Sequence, residues 1–122
     1  MYIKQFFVSM SHACRGIWYV FRNEQNFRLQ TIATLLVGIF AWYLPLSDGE
    51  RLLILLLIML ILILELINSA IEKFTDIVKP RLHQHVRVVK DIMAGTVLIA
   101  SFGAFIIGLM IFIPHIIEVF GN

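Results

Sequence analysis

The sequence predicts an all-α membrane protein in which an N-terminal amphipathic surface helix precedes three transmembrane helices, all within one domain over residues 1–122. Three observations predict it. The composition is 60% hydrophobic and 15% charged, with a mean hydropathy of +0.89. A soluble domain of this size could not hide so much apolar surface. Three stretches are each apolar over about the 20 residues that a helix needs to cross a bilayer. The basic residues, finally, fall almost wholly to one side of those stretches.

The elements follow in order. Residues 2–22 mix Lys4, Arg15 and Arg22 with Phe6, Phe7, Trp18, Tyr19 and Phe21. That mixture suits a helix lying in the membrane interface. The segment has no continuous apolar core followed by a small-residue cleavage site, so it does not read as a signal peptide. The first span is expected at about 29–46, ending around Pro45, and SDGE at 47–50 makes a short polar turn. The second span is expected at about 52–71 and opens with thirteen unbroken apolar residues, LLILLLIMLILIL at 52–64. A polar segment over 72–91 follows, with KPR at 79–81 breaking the helix, because proline cannot donate and disfavours helix in the residue before it. The third span is expected at about 96–117.

Lys4, Arg15, Arg22 and Arg28 precede the first span, and Lys73, Lys79, Arg81, Arg87 and Lys90 lie between the second and third. Two spans separate the groups, so both face the same side, which the positive-inside rule makes the cytoplasm. Arg51 alone falls opposite. Cys14 is the only cysteine, which excludes an intrachain disulfide and a cysteine-built zinc cluster. No nucleic-acid partner is expected.

One stretch does not fit a plain membrane anchor. LELINSAIEKFTD, residues 64–76, sets Glu65, Asn68, Glu72 and Asp76 on one helical face, with Ser69 beside them. Glu65 falls below the cytoplasmic boundary, Glu72 near it and Asp76 beyond it. Glu65 and Glu72 are about 10 Å apart along the axis. An ionisable side chain at the depth of Glu65 is costly, and marks a functional site unless it pairs with a base on another helix. Asp76, already outside, reads as part of a solvated face.

A second polar cluster sits at the same depth. RNEQNFR, residues 22–28, contains Glu24, the only acid in the first 47 residues. An ion pair with Arg22 or Arg28 is one reading. The other is an approach to Glu72, since the first two spans are antiparallel and closely joined. Two carboxylates repel unless a cation joins them, and carboxylate oxygen suits Mg²⁺, which completes its shell with water and substrate phosphates. Lys90 adds positive charge for phosphates. Metal, cation and base are the parts that phosphoryl transfer needs. The chain has no GxxxxGK[ST] and no protein-kinase signature.

These residues resemble the small bacterial diacylglycerol kinase family, which includes undecaprenol kinases. ELINSAIE is similar to the family's E-[IL]-[ILN]-N-[ST]-A-I-E motif, NEQNFR to its N-E-x-x-F-R, and KDIMAGTVLIAS at 90–101 to its third block. The resemblance runs from about Phe6 to Ile113. It implies a multi-pass homotrimer of the bacterial cytoplasmic membrane, with active sites shared between subunits and facing the cytoplasm. ATP and Mg²⁺ would reach the site from water, and the lipid alcohol from the bilayer. By motif, Glu65 is implied as the general base, Glu24 and Glu72 as Mg²⁺ ligands, and Asn68 as a supporting residue. Lys90, Asp91 and His83 are implied near the nucleotide. Gly16 matches a glycine of the surface helix that leaves room for substrate, and His12 joins it on that helix.

Gln5 and His12 depart from the Gram-negative diacylglycerol kinases, which have arginine and tyrosine there. HACRGIWYVFRNEQNFR is closer to the undecaprenol kinase pattern. Without the resemblance, the residues reach only a metal-assisted site at a membrane surface. An ion or proton carrier with Glu65 as relay, or a structural membrane protein, stays open. A carrier calls for further deep ionisable residues and a broken helix, yet spans one and three carry Gln30 and Ser101 in their interiors and no Asp, Glu, Lys or Arg.

Overall fold

The computed structural model describes residues 2–78 and 83–121, with the backbone alone at His83. Four helices make up the described chain: α1 Tyr2–Asn23, α2 Gln25–Tyr43, α3 Asp48–Val78 and α4 His83–Phe120. No strand occurs among the described residues. α3 packs on both α2 and α4, while α1 touches α2 and α3 more lightly and buries none of its own residues.

α3 and α4 are each long and apolar enough to cross a membrane. Only 17% of the most apolar window of α3, and 6% of that of α4, is buried within the chain. Core helices of a soluble protein would be mostly covered. At 1.5 Å per residue, α3 is ~46 Å long and α4 ~57 Å. Both exceed a hydrocarbon core of about 30 Å.

The helices differ from the expected boundaries in two places. α2 ends at Tyr43 rather than at 46, with Leu44 extended at φ −75°, ψ 154°. Pro45 is the reason, since it disfavours helix in the residue before it. The polar segment over 72–91 is mostly helix. α3 continues to Val78 and α4 already begins at His83, so Glu72, Lys90 and Asp91 stand on helices rather than in a loop. The expected break at 79–81 lies outside the described residues. α4 runs through Pro114.

The α2–α3 connection is tightly built. Ser47 Oγ accepts from the Glu50 N–H at 3.2 Å, and Glu50 Oε1 accepts from the Ser47 N–H at 2.9 Å. This reciprocal capping box starts α3. Arg51 donates to the Ala41 and Leu44 carbonyls, both at 3.1 Å, and so satisfies the open end of α2. Ala41, Leu44, Leu46, Ile54 and Ile111 form the apolar core beside it. His115 Nε2 meets Glu50 Oε1 at 3.1 Å and ties α4 to the same end.

Candidate active site

At the opposite end of the bundle, one extended residue, Glu24, separates α1 from α2. Its carbonyl accepts the first bond of α2, from the Arg28 N–H at 3.2 Å. The Arg28 guanidinium turns back to α1 and donates to the carbonyls of Phe21 at 3.0 Å and Arg22 at 2.7 Å. Arg28 therefore closes the C-terminus of α1, where carbonyls lack helical partners. The Glu24–arginine pair that the sequence allowed does not form. The Glu24 carboxylate has no ion pair or hydrogen bond among the described residues. Phe27 is buried beneath this turn, with its ring edge-on to Phe21 at 6.5 Å.

Glu65 is 4% exposed. It has no salt bridge among the described residues, so the structural pairing with a base on another helix is not seen. Its polar surroundings are the side chains of Glu72 on α3, Gln30 on α2 and Glu24 at the α1–α2 turn.

Above them a groove of about 550 Å³ opens between α1 and α3. Gly16, Tyr19 and Glu24 line one wall; Ser69, Glu72 and Asp76 line the other. Of the helical face inferred from the sequence, Ser69, Glu72 and Asp76 line this groove, while Asn68 and the buried Glu65 do not. A Cβ added at Gly16 would meet nothing within 4 Å, so the open space at this glycine belongs to the groove. Lys73 also lines the groove, its ammonium 5.6 Å from the centre of the Tyr19 ring.

The remaining expected residues are placed less centrally. Lys90 pairs with Asp76, Nζ to Oδ1 3.1 Å. Asp76 is exposed, as a solvated face requires, and Lys90 is joined to the groove through it. Asp91 is exposed beside Lys90, and Asn68 is half-buried on α3 three residues beyond Glu65. His12 is exposed on α1, one turn before Gly16, and does not line the groove. The side chain of His83 lies outside the described residues. Among the described residues, no three His, Cys, Asp or Glu side chains converge closely enough to form a complete protein metal cage.

Two contributors went unmarked in the sequence. Lys73 read only as one of the positive-inside residues. Gln30 read only as an isolated polar residue in an apolar span, although that isolation was itself a signal, because a buried amide needs a partner.

Comparison with known proteins gives this geometry a family. The prokaryotic diacylglycerol kinase family matches residues 11–112. An undecaprenol kinase of Bacillus subtilis is 39% identical over 114 residues, covering 93% of each chain. A diacylglycerol kinase of Synechocystis is 33% identical over 91% of this chain and 64% of its own. A diacylglycerol kinase of Escherichia coli is 31% identical over 73% of each. The matched residues include both acidic motifs and the groove between them, and the chain belongs to the prokaryotic diacylglycerol kinase family.

Proposed function

We propose that this chain transfers the γ-phosphoryl group of ATP to the hydroxyl of a membrane lipid alcohol, undecaprenol or a diacylglycerol. The observation that carries the reading is the buried Glu65 carboxylate, without an ion pair among the described residues, beneath a groove lined by Glu24 and Glu72. Kinase activity on a lipid alcohol follows from the family and its named relatives. The 39% identity to an undecaprenol kinase favours a polyprenol as the acceptor.

The site residues divide the work. Glu65 takes the proton of the lipid hydroxyl as its oxygen attacks phosphorus. The new O–P bond forms as the bond to the leaving ADP oxygen breaks, and the phosphorylated lipid departs. Glu24 and Glu72 would hold Mg²⁺. Two unpaired carboxylates lining one groove fit an ion that takes one or two carboxylates and fills its shell with water and phosphate oxygens. When bound, Mg²⁺ neutralises charge on the nucleotide phosphates. Lys73 on the groove wall and Lys90 beside Asp76 supply positive charge for the same phosphates. Gly16 leaves room for them. Asn68, Asp91, His12 and His83 are assigned to this centre by their resemblance to the family motifs alone.

The membrane arrangement belongs to the same proposal. α2 is ~28 Å long and exposes Leu35, Ile39 and Phe40. With the turn at 44–46, where the Leu46 N–H donates to the Leu44 carbonyl at 2.8 Å, it makes a third span. α1 lies in the cytoplasmic interface, with Phe6, Phe7 and Trp18 exposed for lipid. The face of α3 left bare by α2 and α4, including Leu56, Leu60 and Ile63, suits packing against two further copies in a homotrimer.

Radiolabel transfer from ATP, with Mg²⁺, onto a panel containing undecaprenol and diacylglycerol tests the function. Label on at least one lipid is expected. Transfer to neither by an assembled protein refutes it.

A further inference from the structure

The groove between α1 and α3 is acidic. Glu24, Glu72 and Asp76 all line it, and among the described residues that line it Lys73 is the one cation. A polyphosphate is repelled by such walls unless positive charge meets it. Lys90 is already paired with Asp76 at 3.1 Å. Lys73 is held differently. It has no ion pair among the described residues, and its ammonium stands 5.6 Å from the centre of the Tyr19 ring.

Tyr19 lies on α1, one turn beyond Gly16, and Lys73 lies on α3, next to Glu72. The pair therefore spans the two walls of the groove. Little else joins them, because α1 buries none of its residues and touches α3 lightly. Tyr19 pushes the Lys73 pKa up, and Asp76 adds to the rise more weakly, so the amine stays an ammonium. A carboxylate partner would fix the ammonium but cancel its charge. A ring face attracts it and leaves the charge in place. The N–H groups turned away from the ring stay open to a phosphate oxygen, which takes a short, charge-assisted hydrogen bond. An exposed lysine has a flexible four-carbon stem, and holding that stem in advance lowers the ordering cost of binding.

We propose that Lys73 is a phosphate-binding residue of this groove and that Tyr19 is its positioning residue, holding the ammonium ready for the nucleotide phosphates. The assignment rests on the ATP-dependent reading and adds to it a device that joins α1 to α3 through the ligand. Neither residue belongs to the motifs that tie the chain to its family.

Calorimetric titration of the assembled protein in detergent micelles with ATP and Mg²⁺ reads Kd, and label transfer reads KM and kcat. Lys73→Met should raise Kd and KM for ATP ~10-fold or more, the scale of a lost hydrogen bond to a charged group, while kcat changes far less. Lys73→Arg, which keeps the charge and also stacks on a ring, should recover most of the binding. Tyr19→Leu should weaken ATP binding roughly 2–5-fold, the size of an exposed cation–π contact. Tyr19→Phe keeps the ring and should bind as wild type. In the Lys73→Met background Tyr19→Leu should add nothing, because a positioning residue acts only through the group it positions. An unchanged Kd in Lys73→Met overturns the proposal. So does a Tyr19→Leu effect of equal size in both backgrounds. A loss of binding that tracks a lower melting temperature and is not recovered by Lys73→Arg makes the pair a structural strut, and overturns it too. If wild type binds ATP–Mg²⁺ but labels no lipid, the lipid kinase reading fails instead, and the Kd comparisons still decide the roles of Lys73 and Tyr19.

Discussion

Replacing Glu65 by glutamine separates chemistry from architecture. Had the carboxylate been one half of a buried ion pair, removing it would strand a charge at a cost of ~3–5 kcal/mol. The described residues offer no such partner. Glu65 is 4% exposed, and its neighbours are Gln30 and the two acids Glu72 and Glu24. Glutamine keeps the volume and removes one of three neighbouring negative charges. Stability should be unchanged or slightly higher. Activity is another matter. A positioned base contributes typically ~10²–10⁴-fold, or about 3–5 kcal/mol of barrier at 1.36 kcal/mol per tenfold. The assay pairs thermal denaturation in detergent with radiolabel transfer to lipid and with binding of ATP–Mg²⁺. Expected are a wild-type melting curve, retained nucleotide binding and activity down at least ~100-fold. Retention of more than about a tenth of the activity would refute the base assignment. A variant that fails to assemble would make Glu65 a structural residue.

Other perturbations report on separate parts. Glu24→Gln and Glu72→Gln should each shift the Mg²⁺ titration of activity to higher concentration, since each removes an anionic oxygen ligand; an unchanged titration curve removes that residue from the metal site. Lys90→Ala should raise KM for ATP while Asp76→Asn does not. If both variants merely lose the ~0–1 kcal/mol of a surface ion pair and keep wild-type kinetics, Lys90 serves only to join α3 to α4. Arg51→Ala removes both donors to the end of α2 and should destabilise the fold by ~1–3 kcal/mol. Its KM for ATP should stay at the wild-type value, because the lost contacts lie at the end of the bundle away from the groove.

How far the sequence could be read depended on the range of the interactions. The four helices were legible because uninterrupted apolar runs and prolines act locally. Pro45 located the end of the first long hydrophobic helix to within a few residues, and the actual end at Tyr43 came from the restriction that proline places on Leu44. The stripe from Glu65 to Asp76 was legible because helical periodicity fixes a face. What lies opposite a face is not periodic. Whether Arg28 would bond Glu24 or the end of α1 depended on how sharply the chain turns at one extended residue. The pairing of Lys90 with Asp76 depended on how α4 returns beside α3. Gln30 is in the same position: its place beside Glu65 is a register between two helices, which neither helix encodes alone.

The capping role of Arg28 bears directly on function. Glu24 can serve a metal only if its carboxylate is not already neutralised, yet it is flanked in sequence by two arginines. The bonds from Arg28 to the Phe21 and Arg22 carbonyls resolve that conflict, because they spend the guanidinium on backbone groups that the end of α1 would otherwise leave open. The same turn swings α1 across α3, so that Gly16 and Tyr19 come to face Ser69 and Glu72. Beyond Ile71, the extra turns of α3 carry Glu72, Lys73 and Asp76 along this groove, while Glu65 stays behind, about 10 Å down the axis. In the proposed membrane arrangement, a reagent confined to water and one confined to hydrocarbon can then meet without either leaving its solvent. The far end of the bundle, where Ser47, Glu50, Arg51 and His115 are joined by hydrogen bonds over an apolar core, contributes nothing to the groove directly. It holds α2 and α4 against α3, and the register between those helices is what keeps Gln30 beside Glu65.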